Sequence, residues 1–435
     1  MTGAVLGALR VLLTAALLAS PTVARAEEPA GEMGPPRPPP SPARLYDLAY
    51  EARLSPNERT ARVSVRIGGP ETGLVLKVRF QIDPERHRDF RGDGVVEVEG
   101  SSVTWRPPLR GGALHYTFRI DHLRDARSYD AHFAENWALF RGDDLVPPAR
   151  VRTEGGALSR ARLRLRLPDG WSAAAPFERL PDGRFVLDNP RRRFDRPTGW
   201  ILVGRLGILR ERVGGSKLAV AAPVGQRVRR QDTLALLRWT LPSLRKILGE
   251  LPDRLVVLGA GDPMWRGGLS GPGSVFVHAE RPLIDSDLTS PVLHEMIHAT
   301  LGITAGTGGD WVVEGLAELY SLELLVRSKS ISKARHRKAL ARLAARGAGV
   351  TALDVGAAVG PVAARAATAL HELDLELRRG SAEALSLDDV VRRLASERGR
   401  VTNERFRRSV DEVAGRSLGA FFRARIPLRK QPALP

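Results

Sequence analysis

Two histidines four residues apart, His294 and His298, with Glu295 beside the first, stand in the segment Ser290-Pro291-Val292-Leu293-His294-Glu295-Met296-Ile297-His298-Ala299-Thr300-Leu301-Gly302. Ser290 is a good N-cap, Pro291 suits the first helical position and Gly302 suits the C-terminal exit, so the segment predicts one helix of about three turns. On a helix, positions i and i+4 lie one above the other, which lets both imidazoles reach a single ion. Glu295 lies one residue round from His294. It borders the metal without binding it, the place for a base that takes a proton from an activated water. The alternative is a helix with ordinary surface or core histidines. With nine His in the chain, an H-E-x-x-H pattern arises by chance in roughly one such chain per hundred, and the metal reading is the stronger one.

A second segment supplies what the first lacks. Trp311-Val312-Val313-Glu314-Gly315-Leu316-Ala317-Glu318-Leu319-Tyr320 predicts a further helix, with Asp310 expected as its cap and Glu314 and Glu318 on one face. Two His, one Glu and an open position form one of the standard catalytic zinc sets. Glu314 is the expected third ligand, giving one Zn2+ per chain. Glu318, one turn later, is placed to accept a hydrogen bond from a liganding imidazole and fix its tautomer, the alternative being a solvated carboxylate.

The elements that must position these residues are legible in outline. From 45 to about 207 the chain alternates, as in Ala61-Arg62-Val63-Ser64-Val65-Arg66-Ile67 and Leu163-Arg164-Leu165-Arg166-Leu167, with turns such as Gly68-Gly69-Pro70 and Pro168-Asp169-Gly170 between the runs. That predicts a β-rich, sandwich-like domain over 44–212. Residues 233–248 then read as a helix and 254–258 as a buried strand, opening a mixed α/β catalytic domain over 213–330. From 331 to 435 the pattern is helical, with Leu387-Asp388-Asp389 and Val401-Thr402-Asn403 opening two of the helices. The expected fold class is therefore α+β and multidomain.

At the N-terminus, residues 11–18 are apolar apart from Thr14, with Arg10 before them and Ala24-Arg25-Ala26 after them. This reads as a secretory signal over 1–26 with cleavage near Ala26, since the block is much shorter than the ~20 residues a bilayer requires. A Pro-rich linker follows over 27–43. The chain is expected in the periplasm or secreted.

Cysteine is absent, so disulfides, thiolate ligands and cysteine nucleophiles are excluded and any metal must use His and carboxylates. The formal charge of +18 becomes +16 without Arg10 and Arg25. The arginines are spread along the whole chain, as in Arg160, Arg162, Arg164 and Arg166, which reads as solvated cationic surface with weak electrostatic association to anionic cell-envelope surfaces. Export argues against a nucleic-acid partner.

The motif His294-Glu295-x-x-His298 followed by Trp311-x-x-Glu314-Gly315-Leu316-Ala317-Glu318-x-Tyr320 resembles the gluzincin zinc metallopeptidases, nearest to the aminopeptidase N and glycyl aminopeptidase families. The resemblance implies a thermolysin-like catalytic domain, a β-rich domain before it and C-terminal helices after it. Ser386-Leu387-Asp388-Asp389-Val390-Val391 and Gly415-Arg416-Ser417-Leu418-x-x-Phe421-Phe422 are similar to those families' C-terminal helices. The gap of fifteen residues between His298 and Glu314 is shorter than the aminopeptidase N pattern, implying a trimmed loop at 303–309.

Two departures bear on mechanism. Where the families carry G-x-M-E-N or G-G-L-E-H with a Glu that anchors the substrate amine, this chain has Gly267-Gly268-Leu269-Ser270-Gly271, with Ser270 in that place. A backbone edge at Ser274, Val275, Phe276 and Val277 is expected to bind peptide by strand addition. Where the families place a Tyr that stabilises the tetrahedral oxyanion, the alignment back from Leu373-Asp374 gives Ala363. Losing such a donor typically costs roughly 100- to 1,000-fold in turnover. Arg365, Tyr320 and His278 are the residues weighed as substitutes.

The expected function is thus an exported zinc metallopeptidase acting on a peptide or protein, with Glu295 as general base. A second reading, motivated by Ser270 and Ala363, keeps the zinc and the peptide groove without turnover. A third makes the cationic surface the function, but a structural zinc site would normally be closed by a fourth protein ligand, and none stands nearby in the sequence.

Overall fold

The computed structural model describes residues 44–187, 192–426 and 428. The expected signal segment, its cleavage site at Ala26 and the Pro-rich linker lie outside these residues. The strand Leu45–Ser55 shows how the first part folds. Tyr46, Leu48, Tyr50, Ala52 and Leu54 are buried, while Asp47, Ala49, Glu51 and Arg53 alternate with them on the other face. It pairs in parallel with Leu158–Arg166 and antiparallel with Thr60–Gly68 at the centre of a seven-stranded sheet. A four-stranded sheet contributing Val78, Phe80 and Trp105, and a five-stranded sheet contributing Phe133, Phe140 and Ile201, close over that apolar face. Fully burying each such side chain stabilises by roughly 1.5–3 kcal/mol. Buried phenols are satisfied by backbone: Tyr50 donates to the Asp195 carbonyl at 2.6 Å and Tyr116 to that of Leu145 at 2.7 Å.

The strand Trp200–Gly204 is buried along its whole length because it serves two cores. Ile201 and Val203 face the β-rich core, whereas Trp200 and Leu202 face a second apolar layer with Leu258 and Phe276. The Trp200 N–H also donates to Ser274 Oγ at 2.8 Å. The first region is thereby fastened to the sheet that carries the site.

That sheet runs in the order Leu206–Val213, Ser216–Pro223, Arg254–Ala260, Ser274–His278, Gly268–Gly271. The three middle strands are parallel, and the outer two are antiparallel to their neighbours. The hairpin of Leu206–Val213 with Ser216–Pro223 spans the boundary expected at 212/213. Its first strand pairs along its full length with the second, so it belongs to this sheet.

One continuous apolar core extends from Val213 to Ile426. The C-terminal helices therefore share their core with the helices that bear the candidate ligands. The helix Asp310–Arg327 and the helix Pro361–Gly380 pack closely at Gly315, where a Cβ would lie 2.8 Å from Ala366 Cβ and 2.9 Å from Leu370 Cδ1. Only a glycine admits that crossing. The segment expected as a trimmed loop carries a short strand, Ile303–Ala305, which pairs in parallel with Gly399–Val401. Among the described residues no helix is long and apolar enough to cross a membrane.

Candidate metal centre

The helix Pro291–Leu301 forms as its sequence demands. Ser290 Oγ accepts from the Leu293 N–H at 3.3 Å, Pro291 opens the first turn, and Gly302 exits in the left-handed region at φ 64°. Val292, Leu293, Met296 and Ile297 are buried in the core. This seating turns His294, Glu295 and His298 towards an open cleft. The second helix begins differently from expectation. Asp310 is its first residue and does not cap it; its carboxylate instead accepts from the Ala358 N–H, tying the helix start to the loop before Pro361–Gly380.

The three expected ligands converge. His294 Nε2 lies 3.3 Å from Glu314 Oε2, His298 Nε2 lies 3.5 Å from Glu314 Oε1, and the two Nε2 atoms are 3.2 Å apart. Among the described residues this is the one group of His, Asp or Glu donors within 4.8 Å of one another that could hold a metal ion. Glu318 approaches from behind: its Oε2 is 3.4 Å from His294 Nδ1, leaving Nε2 aimed at the shared centre. Burial alone would lower the His294 pKa, but hydrogen bonds to Glu314 and Glu318 outweigh it and raise the value to about 10. Burial would raise Glu314, and the two histidines bring it down to about 2 instead. The donor set is therefore poised for positive charge, and its chemistry, two imidazoles and one carboxylate with no thiolate, suits zinc.

Glu295 stands beside this trio and outside it. Burial raises its carboxyl above the ordinary range, against the pull of His294 and His298 and of a hydrogen bond to Ser270. The edge strand Gly268–Gly271 passes directly over it. A Cβ on Gly268 would meet Glu295 Cγ at 2.8 Å, and one on Gly267 would meet the Trp265 ring at 2.1 Å. Both glycines are thus explained by close packing at the cleft.

The expected peptide edge is corrected here. Ser274, Val275, Phe276 and Val277 lie in an interior strand, paired on one side with Arg254–Ala260 and on the other with Gly268–Gly271, and all four are buried. No backbone row is free on them for strand addition. The edge belongs instead to Gly268, Leu269 and Ser270, which pair on one side only.

Two adjoining cavities, about 280 and 420 Å³, open beside His294 and share it with Glu318, Arg281, Asp285 and Thr289. Ala363 lines the first of them together with His294 and Glu314. The residues weighed as substitutes for an oxyanion donor point elsewhere. Tyr320 donates to Asp388 at 2.8 Å, Arg365 to the Arg425 carbonyl at 2.8 Å, and the His278 ring is buried 3.4 Å from Asp262. Arg346 and Arg281 were not singled out by sequence. Arg346 Nη2 donates to Glu318 Oε1 at 2.5 Å and its Nη1 to Asp287 at 3.1 Å. Both arginines sit among many on helical or loop surface, and no spacing rule distinguishes them.

By sequence alone, no family model and no curated protein matches the chain. Its fold is similar to that of an aminopeptidase N family protein from Idiomarina loihiensis, with TM-score 0.66, 16% identity, and coverage of 89% of this chain and 77% of that one. It is also similar to an M1 zinc metallopeptidase from Deinococcus radiodurans, with TM-score 0.55, 18% identity, and coverage of 90% and 95%. A Glu-to-Ala mutant of an M1 zinc metallopeptidase from the same organism, bound to a Tyr-Ser-Ala substrate, gives TM-score 0.58 at 17% identity, with coverage of 90% and 96%. The chain has the multidomain fold of the M1, gluzincin-type zinc metallopeptidases.

Proposed function

We propose that this chain is an exported zinc-dependent metallopeptidase. The observation that carries the reading is the position of Glu295, half-buried beside three converging donors and not among them. His294, His298 and Glu314 would hold one zinc. When bound, the metal supplies Lewis acidity that lowers the pKa of water and polarises a peptide carbonyl. Glu295, with its proton affinity raised by burial, takes the proton of the attacking water and passes it to the leaving amine. Glu318 keeps the His294 ring in one orientation, and Arg346 and Asp287 keep Glu318 in place. A peptide adds as a strand along Gly267, Gly268, Leu269 and Ser270, with backbone hydrogen bonds supplying affinity. Export rests on the sequence of residues 1–26.

Ala363 favours a second reading. It is on the cavity wall, and no Tyr is among the described residues lining either cavity. A zinc-holding, peptide-binding protein of the cell envelope with little or no turnover fits that wall. Metal analysis and a peptide-library digest of the full chain, purified without chelators, decide between the two. The peptidase reading expects about one zinc per chain and cleavage abolished by a chelator; zinc with binding but no cleavage favours the second.

A further inference from the structure

The outer face of the seven-stranded sheet is uncovered and forms a trough of about 1030 Å³. Eight arginines line it against three carboxylates. Acidic neighbours neutralise some of these: Arg160 pairs with Asp47 at 2.7 Å and Arg62 with Glu58 at 3.3 Å. Arg53, Arg66, Arg91, Arg162 and Arg164 form no ion pair with a described residue.

Strand register concentrates this charge. Arg53 stands directly opposite Arg62 on one side and Arg166 on the other, and Arg66 and Arg162 flank Ala49 across the same sheet. Like charges placed opposite one another on a sheet destabilise it. Asp47 and Glu51 interleave with these rows, opposite Arg160 and Arg164, and Glu51 pairs with Arg166 at 3.1 Å, but three carboxylates against eight arginines leave an excess of positive charge that a polyanion would relieve. Neighbouring strands lie about 4.8 Å apart and alternate residues about 6.7 Å along a strand, so the guanidinium forks form a two-dimensional lattice that follows a chain, not a point charge. Their planar geometry suits bidentate capture of carboxylate, sulfate or phosphate.

From these features we infer that the trough binds a linear acidic polysaccharide. Single-stranded nucleic acid fits less well, because such sites add aromatic stacking platforms to the cations. Here Tyr50 and Tyr116 are buried with their hydroxyls committed to backbone carbonyls, and no exposed Phe, Tyr or Trp lines the trough. A bilayer surface is flat and meets a concave face only at its rim.

The test uses a fluorescently labelled heparin fragment as probe and the full chain, followed by anisotropy across a salt series. Combining Arg66→Gln, Arg91→Gln, Arg162→Gln and Arg164→Gln is expected to weaken binding at least about tenfold and to flatten the log–log salt slope by about 0.7 for each arginine that no longer meets the polyanion. A control replacing Arg335, Arg337, Arg408 and Arg423, exposed arginines off this sheet, is expected to change affinity less than about twofold. Should the combined variant fail to fold, Arg91→Gln alone, on an exposed strand position, is expected to cost about twofold to threefold. Equal losses in variant and control, or no loss from the trough variants, overturn the site. Tighter binding of single-stranded DNA of matched length, or binding of anionic vesicles that heparin does not displace, overturns the polysaccharide as occupant.

Discussion

Gly268 and Glu295 occupy complementary space: a Cβ on the glycine would stand 2.8 Å from Cγ of the glutamate. The edge strand is hydrogen-bonded to its neighbour, so in Gly268→Ala the carboxylate is the part that gives way. A displacement of that size near the chemistry is expected to lower kcat about 10- to 100-fold. Zinc content should stay near wild type. Steady-state kinetics beside elemental analysis check this, and an unchanged kcat would remove the positioning role given to the glycine.

In the proposed centre Glu318 would act on the metal through another residue. Its Oε2 lies 3.4 Å from His294 Nδ1, and Arg346 donates to its other oxygen at 2.5 Å. Glu318→Ala is expected to weaken zinc binding about 10- to 100-fold, the usual cost of losing such a partner. Competition against a chromogenic chelator measures it. Wild-type affinity in the variant would mean that the 3.4 Å contact orients nothing.

Ala363 faces the same cavity as His294 and Glu314, where a Tyr hydroxyl would reach into open space. Ala363→Tyr is expected to raise kcat on the order of tenfold, a part of what an oxyanion donor normally contributes. A fall in kcat with KM unchanged would show that the wall already supplies its donor, with Arg281 and Arg346 the cations to examine.

Glu323 lies behind the site, where burial would raise its pKa but His336 at 2.8 Å and Arg327 at 3.2 Å lower it below the ordinary value. A depressed carboxylate adds stability above its unfolded pKa of about 4.3, and that stability is lost as pH falls through the lower folded value. Glu323→Gln should therefore be less stable than wild type at neutral pH, by about 1–3 kcal/mol. The gap should begin to narrow as the pH falls below about 4.3 and close only below the lower folded value. Urea titrations at the two pH values measure it; a gap that persists undiminished in acid would assign the effect to packing.

The candidate ligands were legible because helical periodicity alone stacks His294 with His298 and Glu314 with Glu318. The cap Ser290 was equally readable, since its side chain meets its own local backbone. Asp310 has the right residue type for a cap, yet its carboxylate finds Ala358, 48 residues away, and no local pattern reveals that contact. Strand order was hidden for the same reason. Ser274–His278 reads as a strand with or without an edge, and only the return of Gly268–Gly271 alongside it makes it interior. Trp200–Gly204 lacks alternation because it is apolar towards two cores.

The division of labour between adjacent residues on one helix is most directly tested by Glu295→Gln, assayed for zinc and for peptide cleavage on the same preparation. Glu295 lies outside the donor trio, so the substitution should leave about one zinc per chain while cutting cleavage at least roughly 100-fold. Loss of zinc in that variant, or cleavage at the wild-type rate with zinc retained, would contradict Glu295 as the general base.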